Sequence, residues 1–146
     1  MKTLIALIVT TVMTLLSTAL FANEKNAPVK FLKVETIIDH YIDASLNGNT
    51  ELVDYLFSED FYYSTPNNRS TETIKRRALI KHLKSLKGVK IDSQSEYQFV
   101  EKNEDCSIVR IITTFETFQR HDYVTLCNSK DGWKISNVVV TYPVKY

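Results

Sequence analysis

The chain has 146 residues, with 18 Lys and Arg against 17 Asp and Glu, and only three Gly, three Pro and two Cys. This length suits one domain rather than two, and the balanced charge argues against a nucleic-acid-binding surface and an acidic tail. The scarcity of Gly and Pro excludes collagen-like and low-complexity chains. With seven Phe, eight Tyr and one Trp, the chain has enough aromatic surface for a packed core, which argues against disorder.

Residues 1–22 have the pattern of a secretory signal peptide. Lys2 gives a basic start, residues 4–20 are mostly apolar, and Ala22 ends a small-residue cleavage site. We therefore predict an exported protein, periplasmic or secreted, with a single mature domain over residues 23–146 and no membrane contact after cleavage. The alternative is an uncleaved membrane anchor, because the apolar run is about long enough to span a bilayer.

The two cysteines favour a disulfide. Thiols in an oxidising compartment tend to pair, and Cys106 and Cys127 are the only two in the chain. Two free thiols are the alternative. Neither cysteine belongs to a CxxC motif, and His40, His82 and His121 lack the spacing of metal ligands, so we predict no metal and no other cofactor.

The first half of the mature chain predicts three helices and one short strand. Helical periodicity of apolar residues covers 28–47, 50–57 and 71–86, and an aromatic-rich strand covers 59–65. The third helix is predicted to turn six residues inward: Ile74, Ala78, Leu79, His82, Leu83 and Leu86.

From Ile91 onward the apolar residues alternate with a period of two, which predicts antiparallel strands. Helices followed by a run of such strands indicate an α+β domain. The predicted strands cover about 91–101, 105–116, 120–129 and 132–142.

Alternation in the second and third of these strands assigns their faces. One face, expected to meet the helices, carries Val109, Ile111, Phe115, Phe118, Val124 and Leu126. The other carries Cys106, Ile108, Arg110, Ile112, His121, Tyr123, Thr125 and Cys127. A tight turn through Glu116 and Thr117 places the two cysteines directly opposite each other, whereas a longer turn leaves them diagonal. The partly apolar second face predicts a homodimer surface.

Several stretches resemble one known fold family. They are Val34–Ala44, Gly48–Phe57, Asp122–Leu126 and Asp131-Gly132-Trp133-Lys134-Ile135, which together span about residues 30–142. In order and spacing they resemble the nuclear transport factor 2-like superfamily, and within it the branch called putative lumazine-binding proteins. The resemblance implies a cone, also called cystatin-like, in which a curved antiparallel sheet wraps around three N-terminal helices. Members of this superfamily include isomerases, dehydratases and polyketide cyclases, so the fold alone does not fix the function.

A pocket between sheet and helices is implied by this fold. Aromatic walls with a few polar tips suit a flat apolar or heteroaromatic small molecule. The alternative is that the same aromatic residues simply fill the core. The predicted lining residues are Tyr41, Phe61, Tyr63, His82, Leu83, Tyr97, Phe99 and Trp133.

No hydrolase, phosphate-binding or metalloprotease motif is present in the sequence. We therefore predict a small-ligand-binding or accessory domain rather than an enzyme. The alternative is a cofactor-free isomerase, dehydratase or cyclase, with Asp60 or His82 as the base and Tyr41 as an oxyanion donor. Strand alternation turns Asp60 away from Phe61 and Tyr63, which weakens that candidate.

Overall fold

The computed structural model describes residues 32–66 and 71–143, so the predicted signal peptide lies outside the described residues. Helix α1 continues into a π-helical segment, and two more helices and six strands follow along the chain. The elements are α1 (Val34–Ile42), the π-helical segment (Asp43–Asn47), α2 (Val53–Leu56), β1 (Phe57–Pro66), β2 (Thr71–Lys75), α3 (Arg76–Ser85), β3 (Gln94–Lys102), β4 (Cys106–Thr114), β5 (Gln119–Ser129) and β6 (Gly132–Thr141).

The six strands form one sheet in the order β2-β1-β6-β5-β4-β3. Every neighbouring pair is antiparallel except β1 and β6, which run parallel. The sheet curves without closing, and the helices cover its inner face. The predicted α+β cone is therefore confirmed. Among the described residues, no helix is long and apolar enough to cross a membrane.

Helix α1 packs through a continuous apolar stripe. Its buried residues recur at helical spacing, as expected for a helix that lies on a sheet: Val34, Ile37, Ile38 and Tyr41. The π-helical segment ends at Gly48, whose φ of 67° is left-handed. The Gly48 carbonyl accepts a hydrogen bond from the Gly88 N–H, which ties this end of the helix to the segment that leads into β3.

The β4–β5 hairpin has the tight turn, which is one of the two alternatives that the sequence leaves open. Cys106 is paired with Cys127 in the register, and the Phe115 N–H donates to the Phe118 carbonyl at 2.9 Å across the turn. Phe118 is predicted to face the helices, and this is wrong: Phe118 lies in the turn itself and is 45% exposed. The prediction is confirmed for the strand positions that bury against the helices: Val109, Ile111, Val124 and Leu126.

The predicted third helix is shorter than expected. Residues 71–75 form β2, which pairs with β1, so Ile74 is exposed. Helix α3 begins at Arg76, whose guanidinium donates to the Phe57 and Asp54 carbonyls.

With this starting point, the buried stripe of α3 is Leu79, Ile80 and Leu83. The predicted inward position of His82 is therefore wrong. His82 lies about a third of a turn from the centre of that stripe and is exposed.

Candidate functional site

A carboxylate lies on the apolar inner face of the sheet. Asp122 points the same way as Val124 along β5, and its register neighbours are Ile111 on β4 and Val140 on β6. Asp122 is 0% exposed, as are Val124 and Val140. A buried charge of this kind requires partners, because a carboxylate in an apolar environment has lost its hydration.

Arg120 supplies the first partner from the same strand. Its Nε donates to Oδ1 of Asp122 at 2.8 Å, and its Nη2 donates to Oδ2 at 3.1 Å. Both oxygens are thus held by a planar, two-pronged donor. The Asp122 side chain is 1% exposed and that of Arg120 is 19% exposed, so the pair lies at the boundary between core and solvent.

Tyr41 supplies the second partner from α1. Its hydroxyl donates to Oδ2 of Asp122 at 2.9 Å, and Tyr41 itself is 3% exposed. Helix α1 is therefore anchored to β5 by a hydrogen bond to a charged group, in addition to its apolar stripe. Tyr41, Arg120 and Asp122 together are called the polar cluster below.

The protonation states follow from burial and charge. Burial, and then the negative charge of Asp122, raise the pKa of Tyr41 well above its usual range, so the phenol is a neutral donor. Burial also raises the pKa of Asp122, while Arg120 and the Tyr41 hydroxyl oppose this by stabilising the charged form. Three donors aimed at two oxygens suit an ionised carboxylate.

One aromatic ring lies beside the guanidinium of Arg120 and begins a chain of three. Its guanidinium carbon is 6.0 Å from the centroid of the Phe115 ring, and Phe115 stacks on Phe118 at 4.5 Å between centroids. The Phe118 ring is also 6.0 Å from that of Tyr142, and these two residues are 45% and 53% exposed. Phe115, Phe118 and Tyr142 are called the aromatic rim below.

Two further polar side chains lie at this end of the sheet. Thr113 is opposite Arg120 in the β4–β5 register, and its buried Oγ1 has no hydrogen-bond partner among the described residues. Tyr63 on β1 is partly buried, and burial followed by the charge of Asp122 raises its pKa. The end of the sheet beside the β4–β5 turn therefore combines exposed aromatic rings, a fixed guanidinium and a buried hydroxyl with spare hydrogen-bonding capacity.

The family model described as putative lumazine-binding matches residues 30–140. The chain belongs to the putative lumazine-binding family. No curated protein matches the sequence.

Several solved structures share the fold of this family member. A nuclear transport factor 2-like protein of unknown function from Silicibacter pomeroyi is 14% identical, with 75% of this chain and 92% of that chain covered and a TM-score of 0.63. One from Methylobacillus flagellatus, also of unknown function, is 16% identical, with coverage of 78% and 97% and a TM-score of 0.60. A ketosteroid isomerase-like protein from Erwinia carotovora atroseptica is 17% identical, with coverage of 77% and 95% and a TM-score of 0.57.

The predicted pocket residues of this family member are spread over α1, β1, α3, β3 and β6. Phe61 and Leu83 are core residues, and the Tyr41 ring meets Phe57 edge-on at 6.3 Å. Four others are partly buried against the core: Tyr63, Tyr97, Phe99 and Trp133.

Of the predicted lining residues, Tyr41 and Tyr63 lie near Asp122. Tyr97 and Phe99 pair with each other on β3, with ring centroids 6.0 Å apart. Trp133 pairs with Asn128, at the opposite end of β5 from Arg120.

The two predicted bases lie elsewhere. Asp60 is exposed and accepts a hydrogen bond from the Ser58 hydroxyl at 2.7 Å, and His82 is exposed on α3. No group of three His, Cys, Asp or Glu side chains suited to a metal ion occurs within residues 32–66 and 71–143.

A small cavity of about 110 Å³ opens elsewhere, beside β3 and β4. It contains Arg110, whose Nε is buried without a hydrogen-bond partner in the described part of the chain. The cavity does not include any residue of the polar cluster. Its lining residues are Glu96, Tyr97, Gln98, Arg110 and Ile112.

Sequence reasoning missed Arg120, Asp122 and Thr113. The signal for Asp122 was present, because it has the same strand parity as Val124 and Leu126, both of which were predicted to face the helices. A charged residue at such a position is informative. Thr113 has the same parity as Ile111 and was identifiable in the same way.

Proposed function

We propose that this protein is an exported, non-catalytic module that binds a small flat molecule, largely apolar or heteroaromatic, at the end of the sheet beside the β4–β5 turn. The observation that carries the proposal is the placement of Arg120. Its guanidinium is held by buried Asp122 and lies 6.0 Å from the ring of Phe115, the member of the aromatic rim that stacks on Phe118. Exposed aromatic faces beside a few fixed polar groups are typical of small-molecule sites.

The charge balance of the site favours a neutral polar group on the ligand. Arg120 and Asp122 cancel each other, so a carboxylate on the ligand would leave one uncompensated negative charge in a half-buried place. A carbonyl or ring nitrogen accepts a hydrogen bond without that cost. The hydrogen bonds of Arg120 to Asp122 use Nε and Nη2, and the Thr113 hydroxyl adds a buried donor next to them.

Binding is favoured over proton transfer because the acid–base groups of the site are already engaged. Both oxygens of Asp122 accept hydrogen bonds, and the Tyr41 proton is directed at Oδ2. A general base must lie within hydrogen-bond reach of the proton that it abstracts, and the side chain of Asp122 is only 1% exposed. Asp60 and His82 are exposed and lie outside the polar cluster. The ketosteroid isomerase-like neighbour shares the fold at 17% identity, which carries no activity to this chain.

The test is isothermal titration of the mature protein with lumazine, a neutral dicarbonyl heteroaromatic, and with a pterin carboxylate of similar size. We expect lumazine to bind and the carboxylate to bind at least tenfold more weakly. Thr113→Val, which removes the buried hydroxyl, should weaken lumazine binding by about fivefold, as for the loss of one neutral hydrogen bond.

Ser107→Ala is the matched control for this variant. Ser107 is also buried on β4 with an unpartnered hydroxyl in the described structure, but it pairs with Leu126 at the far end of the hairpin. It should leave binding unchanged. If neither compound binds at millimolar concentration, the module is not a receptor for this ligand class, and an accessory role is favoured instead. Equal losses in both variants would show that the site lies elsewhere.

A further inference from the structure

The far end of the β4–β5 hairpin carries a feature unrelated to the ligand site. Cys106 and Cys127 are directly opposite each other in the register and lie on the outer face of the sheet, because their neighbours Ser107 and Leu126 are buried on the inner face. Both cysteines are partly accessible and are present as free thiols. This position leaves both sulfurs open to a reagent from solution.

Hydrogen-bonded and non-hydrogen-bonded residue pairs alternate along an antiparallel hairpin, and this alternation shows which kind of pair Cys106 and Cys127 form. Phe115 and Phe118 are a hydrogen-bonded pair, since the Phe115 N–H donates to the Phe118 carbonyl. Such pairs alternate with non-hydrogen-bonded pairs along an antiparallel ladder, which makes Cys106 and Cys127 a non-hydrogen-bonded pair. The Asn128 N–H donates to the Asp105 carbonyl at 2.7 Å, as expected if the next pair is hydrogen-bonded.

This pair type brings the side chains closest together. Cα atoms in non-hydrogen-bonded pairs are about 4.5 Å apart, at the short end of the range that a disulfide spans, about 4.4–6.8 Å. The thiol of Cys127 lies within hydrogen-bonding reach of that of Cys106. No movement of the strands is needed for the sulfurs to meet.

The backbone around both cysteines is already fixed. Oδ1 of Asn103 accepts hydrogen bonds from the Cys106 N–H at 2.7 Å and from the Asp105 N–H at 3.0 Å. On the partner strand, the Asn128 side chain donates to the Glu104 carbonyl at 3.3 Å. Formation of a Cys106–Cys127 disulfide would therefore cost little additional backbone conformational entropy.

We propose that Cys106 and Cys127 are a modification site, at which an oxidising disulfide compound converts the two thiols into a cross-strand disulfide that locks the β4–β5 register. One protein thiolate attacks the oxidant's sulfur–sulfur bond, forms a mixed disulfide and releases one thiolate. The second protein thiolate then attacks the protein sulfur of that mixed disulfide and releases the other. The protein loses two hydrogens, and the oxidant is reduced to two thiols.

A disulfide at this position would stabilise the register of the β4–β5 hairpin. The turn residues Glu116 and Thr117 include no Gly or Asn, the residues that normally specify a tight hairpin. A slip of one residue would turn Asp122 away from Tyr41, because side chains alternate between faces. A covalent bond at the end of the hairpin opposite the turn excludes such slips.

The test uses the mature protein incubated with oxidised glutathione and then analysed by intact mass and by peptide mapping without reduction. We expect a loss of two hydrogens and one cross-linked peptide pair. Reduction should lower the melting temperature by on the order of 10 °C, from the constraint on the unfolded chain. The double variant C106S/C127S should show no response to reductant.

The matched control is T125C/C127S, which moves the second thiol by two residues to face Ile108. This places it diagonal to Cys106, about 7–8 Å away and beyond the usual span of a disulfide. We expect it to stop at two glutathione adducts, without an internal bond. Two adducts on the parent protein, or an internal bond formed equally fast in the control, would overturn the proposal. Ligand binding is not measured, so the outcome is independent of the proposed function.

Discussion

Replacement of Asp122 by Leu tests whether the polar cluster is present for stability or for another purpose. The change leaves the Arg120 guanidinium, 19% exposed, beside an apolar side chain, and it removes the acceptor of the Tyr41 hydroxyl. Breaking a buried ion pair lowers stability by about 3–5 kcal/mol. Because Arg120 is partly exposed, we expect the lower end of this range for Asp122→Leu, about 3 kcal/mol. The orphaned hydroxyl adds about 1 kcal/mol.

The sum is about 4 kcal/mol, or roughly a thousandfold increase in the unfolding equilibrium constant. The assay is equilibrium unfolding in urea, followed by circular dichroism and by the fluorescence of Trp133, the single Trp of the chain. The decisive comparison is the all-apolar triple variant Y41F/R120M/D122L, since replacing a whole buried ion pair with packed apolar groups is often neutral or stabilising.

We expect the triple variant to unfold within about 1 kcal/mol of the parent protein. That result, together with loss of lumazine binding, would mean that the cluster is retained for recognition rather than for stability. If the triple variant is as unstable as Asp122→Leu alone, the loss comes from altered packing, and the electrostatic reasoning is wrong. A loss below about 1 kcal/mol in the single variant would also refute it, because the cluster would then not behave as a buried pair.

Three other expectations concern separate parts of the molecule. Gly48→Ala should lower the melting temperature for two reasons: an added Cβ would lie 2.6 Å from backbone atoms that include the Gly88 nitrogen, and the φ of Gly48 is 67°. An unchanged melting curve would contradict this. In the reduced protein, the hydrogen bond that the Cys106 thiol donates to Cys127, and then burial, raise the pKa of Cys106 to about 11. Its thiolate fraction and its alkylation rate by iodoacetamide should therefore keep increasing up to about that pH, and a plateau below pH 9 would be inconsistent with this. We also expect two copies of the chain to associate through the outer face of the sheet, where Tyr123 is exposed. Tyr123→Lys should therefore convert a dimer into a monomer, as measured by light scattering. A monomeric parent protein would exclude this dimer.

Sequence reasoning located most of the fold because alternation and helical periodicity report burial directly. Residue parity alone placed the two cysteines on one face, but it left open whether the β4–β5 turn is tight or longer, and the register of the folded hairpin decides for the tight turn. The beginning of α3 was not predictable in this way, since residues 71–75 have a helix-compatible pattern and are drawn into the sheet only by pairing with β1. Tertiary pairing there overrides local preference.

The site was predicted less completely than the fold. Tyr41 was identified because it lies on the apolar stripe of α1, but its partner is 81 positions away along the chain. Local patterns contain no information on which distant charge a tyrosine meets. Parity places Asp122 on the core face, a signal that the sequence analysis did not use, and only the folded sheet shows that Arg120 compensates the charge from two residues away.

The parallel pairing of β1 with β6 has a consequence for how the protein is made. Tyr63 is paired with Val138, so an early strand finds its neighbour only after the last strand has been synthesised. Contacts between such distant segments form slowly, because a long loop must close before they stabilise the chain. The sheet therefore cannot be completed until β6 has left the ribosome, and β1 lacks this neighbour until then. A chain destined for translocation in an unfolded state would benefit from this delay.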